Sequence, residues 1–149
     1  MKSVNKYIKQ GIIYIGKGKK KMKIIDDSKS IRNDKDCVIR AVSHLTGDSY
    51  DDVLTFYSER QCYDPKKGTL HVQTYKRIWP KYLDHKITVN KLSKIMNGIP
   101  FVGISRDHAM YVNANSELVD AFDSSKFRVN IVLVNIRDRE EMKKRLRTI

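Results

Sequence analysis

The sequence has few of the features that define secreted, membrane-spanning or zinc-stabilised proteins. Its two cysteines, Cys37 and Cys62, are far apart and form no CxxC pair, which excludes a disulfide framework and a four-cysteine zinc site. No apolar run approaches the roughly 18 residues of a membrane span, and the lysine-rich start lacks the apolar core of a signal peptide. These absences predict a cytoplasmic protein with reduced thiols.

The sequence also has no internal repeats, and its basic N-terminal segment is the one stretch of low-complexity character. A chain of 149 residues, 40% of them hydrophobic and set in short periodic groups, predicts one folded domain. We divide it into a basic arm or hairpin (1–30), a core (31–137) and a C-terminal helix (138–149).

Positive charge is abundant and unevenly distributed. Lysine and arginine number 30 against 17 acidic residues, and residues 1–30 hold nine lysines against two aspartates, a net charge of +7. The densest cluster contains Lys17, Lys19, Lys20, Lys21 and Lys23. Such an arm either attracts a polyanion, such as nucleic acid or an acidic protein, or is a solvated, solubilising segment. No RNA- or DNA-binding motif accompanies it.

Deleting residues 1–23 tests the polyanion interpretation. If the arm binds nucleic acid, the truncated chain should lose salt-dependent binding to DNA or RNA, measured by fluorescence anisotropy at ~50 mM salt, where phosphate contacts are strongest. Absence of binding by the full chain under those conditions would favour the solubilising role.

The first half of the chain shows helical spacing. A hairpin, or an arm pairing at a sheet edge, is predicted within Gly11–Ile25. Four helices are then predicted, from Asp34 or Asp36 to Gly47, from Ser49 to Arg60, from Thr69 to Pro80, and from Thr88 to Gly98. In the third, Val72, Tyr75, Ile78 and Trp79 form the inward stripe.

The second half changes to β-like runs separated by short turns. The runs are Ile99–Ser105, His108–Ala114, Glu117–Phe122 and Arg128–Ile136. Connections this short require antiparallel neighbours. Helices followed by an antiparallel sheet predict the α+β class.

Cys37 lies in the first turn of the first predicted helix, where oriented N–H groups lower a thiol pKa. Taken alone, such a cysteine is more often a small buried hydrophobe. A cysteine nucleophile also needs an imidazole that accepts the thiol proton. His44 lies on the same helix about 10 Å away by helical rise, His71 opens the third helix and His85 lies in a polar connection. His108, at the start of a strand, is the better base.

Asp120 and Asp123 follow on the next strand. Asp120 interrupts an apolar pattern, where an unpartnered carboxylate would be costly, so it either orients His108, caps a turn or pairs with Arg128. Cysteine early on a helix, with histidine and aspartate late on adjacent strands, is typical of papain-like thiol enzymes. Cys37, His108 and Asp120 are also residue types that zinc accepts, but they lack local ligand spacing, and we predict no metal.

The segments NDKDCVIRAVSHLTGDSYDDV, KKGTLHVQTY and RDHAMYVNANSELVDAFDSS resemble a group of small phage-encoded proteins with a papain-like cysteine peptidase fold. That group is similar to the bacteriocin-processing leader peptidases. The resemblance covers about residues 33–125, and a phage origin would place the protein in the host cytoplasm.

The resemblance implies that Cys37 is the nucleophile, His108 the general base and Asp120 the orienting acid, with Asp123 as the alternative acid. It implies that Asn33 and the Cys37 backbone N–H hold an oxyanion. The expected activity is hydrolysis of an amide or isopeptide bond in a peptide or protein substrate, without a cofactor. The charge of Asp36 opposes an oxyanion and would raise the thiol pKa.

The alternative function is an inactive papain-like fold that serves as a basic binding module or inhibitor for nucleic acid or an acidic host protein. Arg40 has two interpretations as well, a contact to an acidic substrate group or a structural pair with Asp36. Cys62, beside a turn, is predicted to be inert.

Overall fold

The computed structural model describes the backbone of residues 5–9 and 12–16, and residues 22–69 and 74–147 in full. Within these ranges the strands are β1 (Asn5–Lys9), β2 (Ile12–Gly16), β3 (Ile24–Asp26), β4 (Tyr63–Asp64), β5 (Gly68–Thr69), β6 (Ile78–Thr88), β7 (Phe101–Ile104), β8 (Ala109–Val112), β9 (Leu118–Asp120) and β10 (Arg128–Asn135). The helices are α1 (Cys37–Thr46), α2 (Tyr50–Glu59), α3 (Val89–Met96) and α4 (Arg139–Leu146). The fold is therefore mixed α+β, as predicted.

Helix ends follow the capping residues of the sequence. Ser49 Oγ accepts a hydrogen bond from the Asp52 N–H at the start of α2, and Thr88 Oγ1 accepts one from Lys91 at the start of α3. Gly47 ends α1 in the left-handed conformation at φ 81°, which glycine adopts at little cost. The predicted first, second and fourth helices are thus confirmed.

The main sheet has the order β1-β2-β3-β9-β8-β7-β10-β6, and β4 and β5 form a separate pair. The strands joined by short turns, β7 to β8 and β8 to β9, are antiparallel as predicted. β3 and β9 are parallel, so the expectation of a purely antiparallel sheet was wrong. Short turns constrain only consecutive strands, and β3 and β9 are separated by most of the chain.

The predicted third helix was wrong. Thr69 lies in β5, and Ile78, Trp79 and Pro80 open β6, where Trp79 pairs with Val134 of β10. Helical spacing of apolar residues was the only signal, and tertiary pairing overrode it. Pro80 is tolerated because β6 is the last strand in the sheet order, and an edge strand has N–H groups that need no ladder partner. Residues 70–73, including His71 and Val72, lie outside the described residues.

The N-terminal prediction is met in part. β2 pairs antiparallel with β3 and β1 with β2, which places this segment at the sheet edge opposite β6. Residues 17–21, which hold four of the five clustered lysines, lie outside the described residues, and Lys23 Nζ lies 3.9 Å from Glu117 Oε2. The polyanion role of these lysines stays a prediction.

Both faces of the sheet carry a hydrophobic core. Along β10, Val132 and Val134 pack with Leu92 of α3 and Met142 of α4, whereas Leu133 packs with α1 and α2 on the opposite face. This double burial explains the near-continuous apolar run of β10. α1 packs chiefly against β8, and this brings its first residue to the end of the sheet where β8 begins. Among the described residues, no helix has the length and apolar character to cross a membrane.

Candidate active site

The first residue of α1 is Cys37, whose side chain is half-buried at the wall of a cleft of about 500 Å³. The first-turn N–H groups of a helix lack intrahelical acceptors, and their dipoles favour negative charge nearby. The placement therefore favours a thiolate over a thiol, as the sequence predicted.

His108, the residue just before β8, also lines this cleft. A tight turn positions it, in which the His108 carbonyl accepts hydrogen bonds from the Ser105 N–H (2.9 Å) and Ser105 Oγ (3.2 Å). The rings of Phe122 and Phe127 pack on the imidazole, with centroid distances of 4.8 and 5.6 Å. These two aromatic residues shield the ring from water. The sequence did not predict them, because no local pattern shows that the segment with Phe122 and Phe127 contacts the turn that holds His108.

Asp120, the last residue of β9, orients the imidazole. Its Oδ2 lies 2.7 Å from His108 Nε2 and also accepts a hydrogen bond from Ser124 Oγ, while Oδ1 accepts one from the Ala121 N–H at 2.7 Å. These contacts satisfy a carboxylate that is only 2% exposed. Asp123 is exposed and accepts a hydrogen bond from the Ser125 N–H instead. Of the two candidate acids, Asp120 is the one that contacts His108.

The Cys37 thiol and the His108 imidazole line the same cleft and interact, which shifts the pKa of each group. Because Asp120 occupies Nε2, the other ring nitrogen, Nδ1, is left for the sulfur. Burial raises the pKa of Cys37, but the His108 hydrogen bond, the Ala109 N–H and the charges of His108 and Arg40 outweigh it, so the thiol pKa lies below its ordinary value. Burial lowers the pKa of His108, but Asp120 and Cys37 raise it to about 9. Both shifts favour a thiolate beside an imidazolium over a neutral thiol beside a neutral imidazole.

Asp36, next to the cysteine, is completely buried and held by four groups. Its Oδ1 accepts a hydrogen bond from Arg40 Nε (2.8 Å), and Oδ2 accepts from the Tyr50 hydroxyl (2.7 Å) and from the N–H groups of Arg32 and Asn33. The Arg40 guanidinium compensates the Asp36 charge locally. The thiol pKa is lowered in spite of this neighbouring carboxylate, because the interactions of Cys37 with His108, the Ala109 N–H and Arg40 outweigh its burial.

Arg40 is buried as well and pairs with a second carboxylate. Its Nη1 lies 3.1 Å from Asp27 Oδ2, and the Asp27 N–H donates to the Asp120 carbonyl at 2.9 Å. Arg40 therefore links the residue before Cys37 to the strand that carries Asp120. Of its two interpretations, the structural pair with Asp36 is the one observed.

Asn33 lines the cleft, as its predicted oxyanion role requires. Its Oδ1 accepts a hydrogen bond from the Lys35 N–H at 2.8 Å, which fixes the amide plane and leaves Nδ2 as the donor group. The oxyanion role stays a prediction.

The other histidines and the second cysteine lie elsewhere. His44 Nε2 contacts Asp27 Oδ1 at 3.2 Å and its ring stacks on Tyr111, while His85 is exposed on β6. Cys62 is buried and its Sγ donates to the Arg60 carbonyl at 3.4 Å, in agreement with an inert role.

Within the described part of the chain, no three metal-ligating side chains are grouped to hold an ion. Asp120 binds the ring nitrogen of His108 directly, so the two side chains do not converge with Cys37 on a common point. Zinc ligation by these three residues has no geometric support.

Comparisons of the chain with protein-family models, with curated proteins and with solved structures found no match. The assignment of this site therefore depends on its geometry and on the chemistry of its residues.

Proposed function

We propose that this chain is a cysteine-dependent amide or isopeptide hydrolase with a papain-like arrangement of Cys37, His108 and Asp120. The observation that carries the proposal is the placement of Cys37 at a helix N-terminus, in the same cleft as a His108 imidazole that Asp120 holds at 2.7 Å and that lowers the thiol pKa. A base within hydrogen-bond reach of its nucleophile, oriented in turn by a third group, is the general requirement for nucleophilic catalysis.

The reaction follows from these roles. The Cys37 thiolate attacks the carbonyl carbon, and Asn33 Nδ2 and the Cys37 N–H stabilise the oxyanion. The His108 imidazolium then protonates the leaving amine as the C–N bond breaks, which leaves a thioester on Cys37. Neutral His108 next takes a proton from water, whose oxygen attacks the thioester. The C–S bond breaks and releases the carboxylic acid, which restores the Cys37 thiolate beside the His108 imidazolium. Asp120 keeps the imidazole in one orientation throughout.

Thiol labelling tests this proposal without knowledge of the substrate. Folded protein at neutral pH should react with iodoacetamide or a peptide vinyl sulfone at Cys37, at least ~10-fold faster than a cysteine in an unfolded peptide, because the thiolate fraction is larger. Cys37→Ala should abolish this labelling and retain the fold, as checked by circular dichroism.

Cys62→Ala is the matched control, since it removes the other thiol and should leave the labelling unchanged. Equal reactivity of Cys37 and the unfolded-peptide cysteine would contradict the proposal.

A further inference from the structure

A second concave surface lies far from Cys37 in the fold, between β6, α3 and α4, with a volume of about 810 Å³. We call it the cationic groove. Its rim carries five basic side chains, Lys81, Lys86, Lys91, Lys143 and Arg147. Asp84 is the acidic residue among its lining residues. The groove is therefore strongly positive, although β1 and β2, the described strands of the basic N-terminal arm, lie at the opposite edge of the sheet.

Most of these cations have no acidic partner among the residues that the structure describes. Among residues 22–69 and 74–147, no ion pair involves Lys81, Lys86, Lys91 or Arg147, and Lys143 lies 3.6 Å from the exposed Glu140. A surface with several unpaired like charges raises the local concentration of anions, and it has a favourable free energy to gain from an anionic partner.

An irregularity in the sheet shapes the groove. Tyr82 pairs with Ile131 and Ile87 with Val129, so four residues of β6 stand opposite the single residue Asn130 of β10. The extra residues form a large irregular bulge, and His85 and Lys86 within it line the groove. Bulges of this kind re-aim side chains and interrupt edge pairing.

The floor of the groove is apolar. It consists of Leu83, Ile87, Ile95 and Leu146, of which Leu83 and Ile95 are only partly buried. Lysines that merely protect an edge strand from aggregation need no apolar floor beneath them. A positively charged rim around an apolar floor instead fits a ligand that has both anionic and apolar groups.

We propose that the cationic groove binds an acidic amphipathic segment of another protein, with carboxylates on the rim and apolar side chains on the floor. Charge complementarity and the apolar floor both favour this partner. Single-stranded nucleic acid fits less well because its binding grooves use aromatic platforms for base stacking, and the groove's described lining residues include no Phe, Tyr or Trp. The proposal is independent of catalysis at Cys37.

Charge reversal in the full chain tests the proposal. The probe is a fluorescein-labelled peptide of about 14 residues that repeats Leu-Leu-Glu-Glu, which places its leucines on one helical face. Binding is measured by anisotropy at roughly 50 and 200 mM salt. Lys81→Glu, Lys91→Glu and Arg147→Glu together should weaken binding about tenfold or more. Each substitution removes an attraction to a peptide carboxylate and adds a repulsion in its place.

A matched triple variant separates the groove from net charge. Lys29→Glu, Lys66→Glu and Lys76→Glu reverse three exposed lysines outside the groove and should change affinity less than about twofold. Equal weakening by both triple variants would overturn the groove assignment.

Two further ligands test the partner class. Ile95→Ser should weaken binding of the Leu-Leu-Glu-Glu peptide several-fold and leave a polyglutamate peptide of equal charge unaffected, because only the former contacts the floor. Equal effects on both peptides would overturn the amphipathic assignment. The second ligand is an oligothymidine of about 20 nucleotides. If it binds more tightly than the Leu-Leu-Glu-Glu peptide, and loses that binding in the triple variant of Lys81, Lys91 and Arg147, the partner is nucleic acid and the proposal is overturned.

Discussion

His108→Ala should slow alkylation of Cys37 at pH ~6 by about 10²-fold or more, and it should slow hydrolysis of any substrate by about 10²- to 10⁴-fold. Burial, which raises the pKa of the Cys37 thiol, remains in the variant, whereas the hydrogen bond and the positive charge that lower it are lost. The thiolate, the reactive species, then forms only at higher pH.

The pH profile shows this directly. In the wild type, the lowered Cys37 pKa predicts that alkylation begins at a lower pH than for an ordinary thiol, and the His108 pKa of about 9 keeps the imidazolium beside the sulfur across the neutral range. The raised pKa of the His108 imidazole also stabilises the folded state. This contribution to the free energy of unfolding is fully present below the ordinary imidazole pKa of ~6.5 and is lost as the pH rises through about 9. The rate of iodoacetamide modification between about pH 5 and 10, followed by mass spectrometry in a Cys62→Ala background, measures the profile.

Conservative variants assign the remaining roles. Asp120→Asn should shift the profile in the same direction as His108→Ala, since the carboxylate that stabilises the imidazolium is lost. Asp123→Asn and His85→Ala, both at exposed positions, should leave it unchanged. A profile that is insensitive to His108 would show that Cys37 is a packing residue.

Arg40→Met should lower the free energy of unfolding by about 3–5 kcal/mol, because it removes the guanidinium that pairs with both buried carboxylates, Asp36 and Asp27. Burial raises the pKa of each carboxyl, but hydrogen bonds and charges outweigh it and hold the pKa below its ordinary value. They come from His44, Ser30 and Arg40 at Asp27, and from the Arg32 N–H, Arg40 and Tyr50 at Asp36. The stability these groups contribute is thus present above their ordinary pKa and lost as the pH falls through the lowered values. Urea unfolding at neutral pH measures the change.

Arg32→Met is the matched control. Arg32 pairs with Asp51 at 2.8 Å, but both side chains are mostly exposed, so its loss should cost less than about 1 kcal/mol. Similar losses for the two variants would contradict the structural role assigned to Arg40. Where Arg40→Met still folds, slower Cys37 alkylation is expected, since Arg40 joins the loop before Cys37 to the strand of Asp120.

Local signals were sufficient for several elements. Ser49, Gly47, Thr88 and Gly98 mark helix ends by side-chain capping or by left-handed backbone, and these effects act within a few residues. The predicted helix from Thr69 to Pro80 failed because the spacing of Tyr75, Ile78 and Trp79 also fits a chain that enters an edge strand. Pairing of β6 with β10, a contact between distant segments, decided that case.

For the candidate site, the sequence alone determined the residue types and their positions: a thiol at a helix start, and a histidine and an aspartate on successive strands. It could not choose between Asp120 and Asp123, because that choice depends on which carboxylate the antiparallel pairing of β8 and β9 brings to the imidazole. It also assigned Asp36 an unfavourable charge, which the folded chain compensates with Arg40 and Tyr50. The helix start that favours a thiolate could be predicted locally, but burial and hydrogen bonding between distant segments also set charge states, so the tertiary structure decided the net direction of the Cys37 pKa shift.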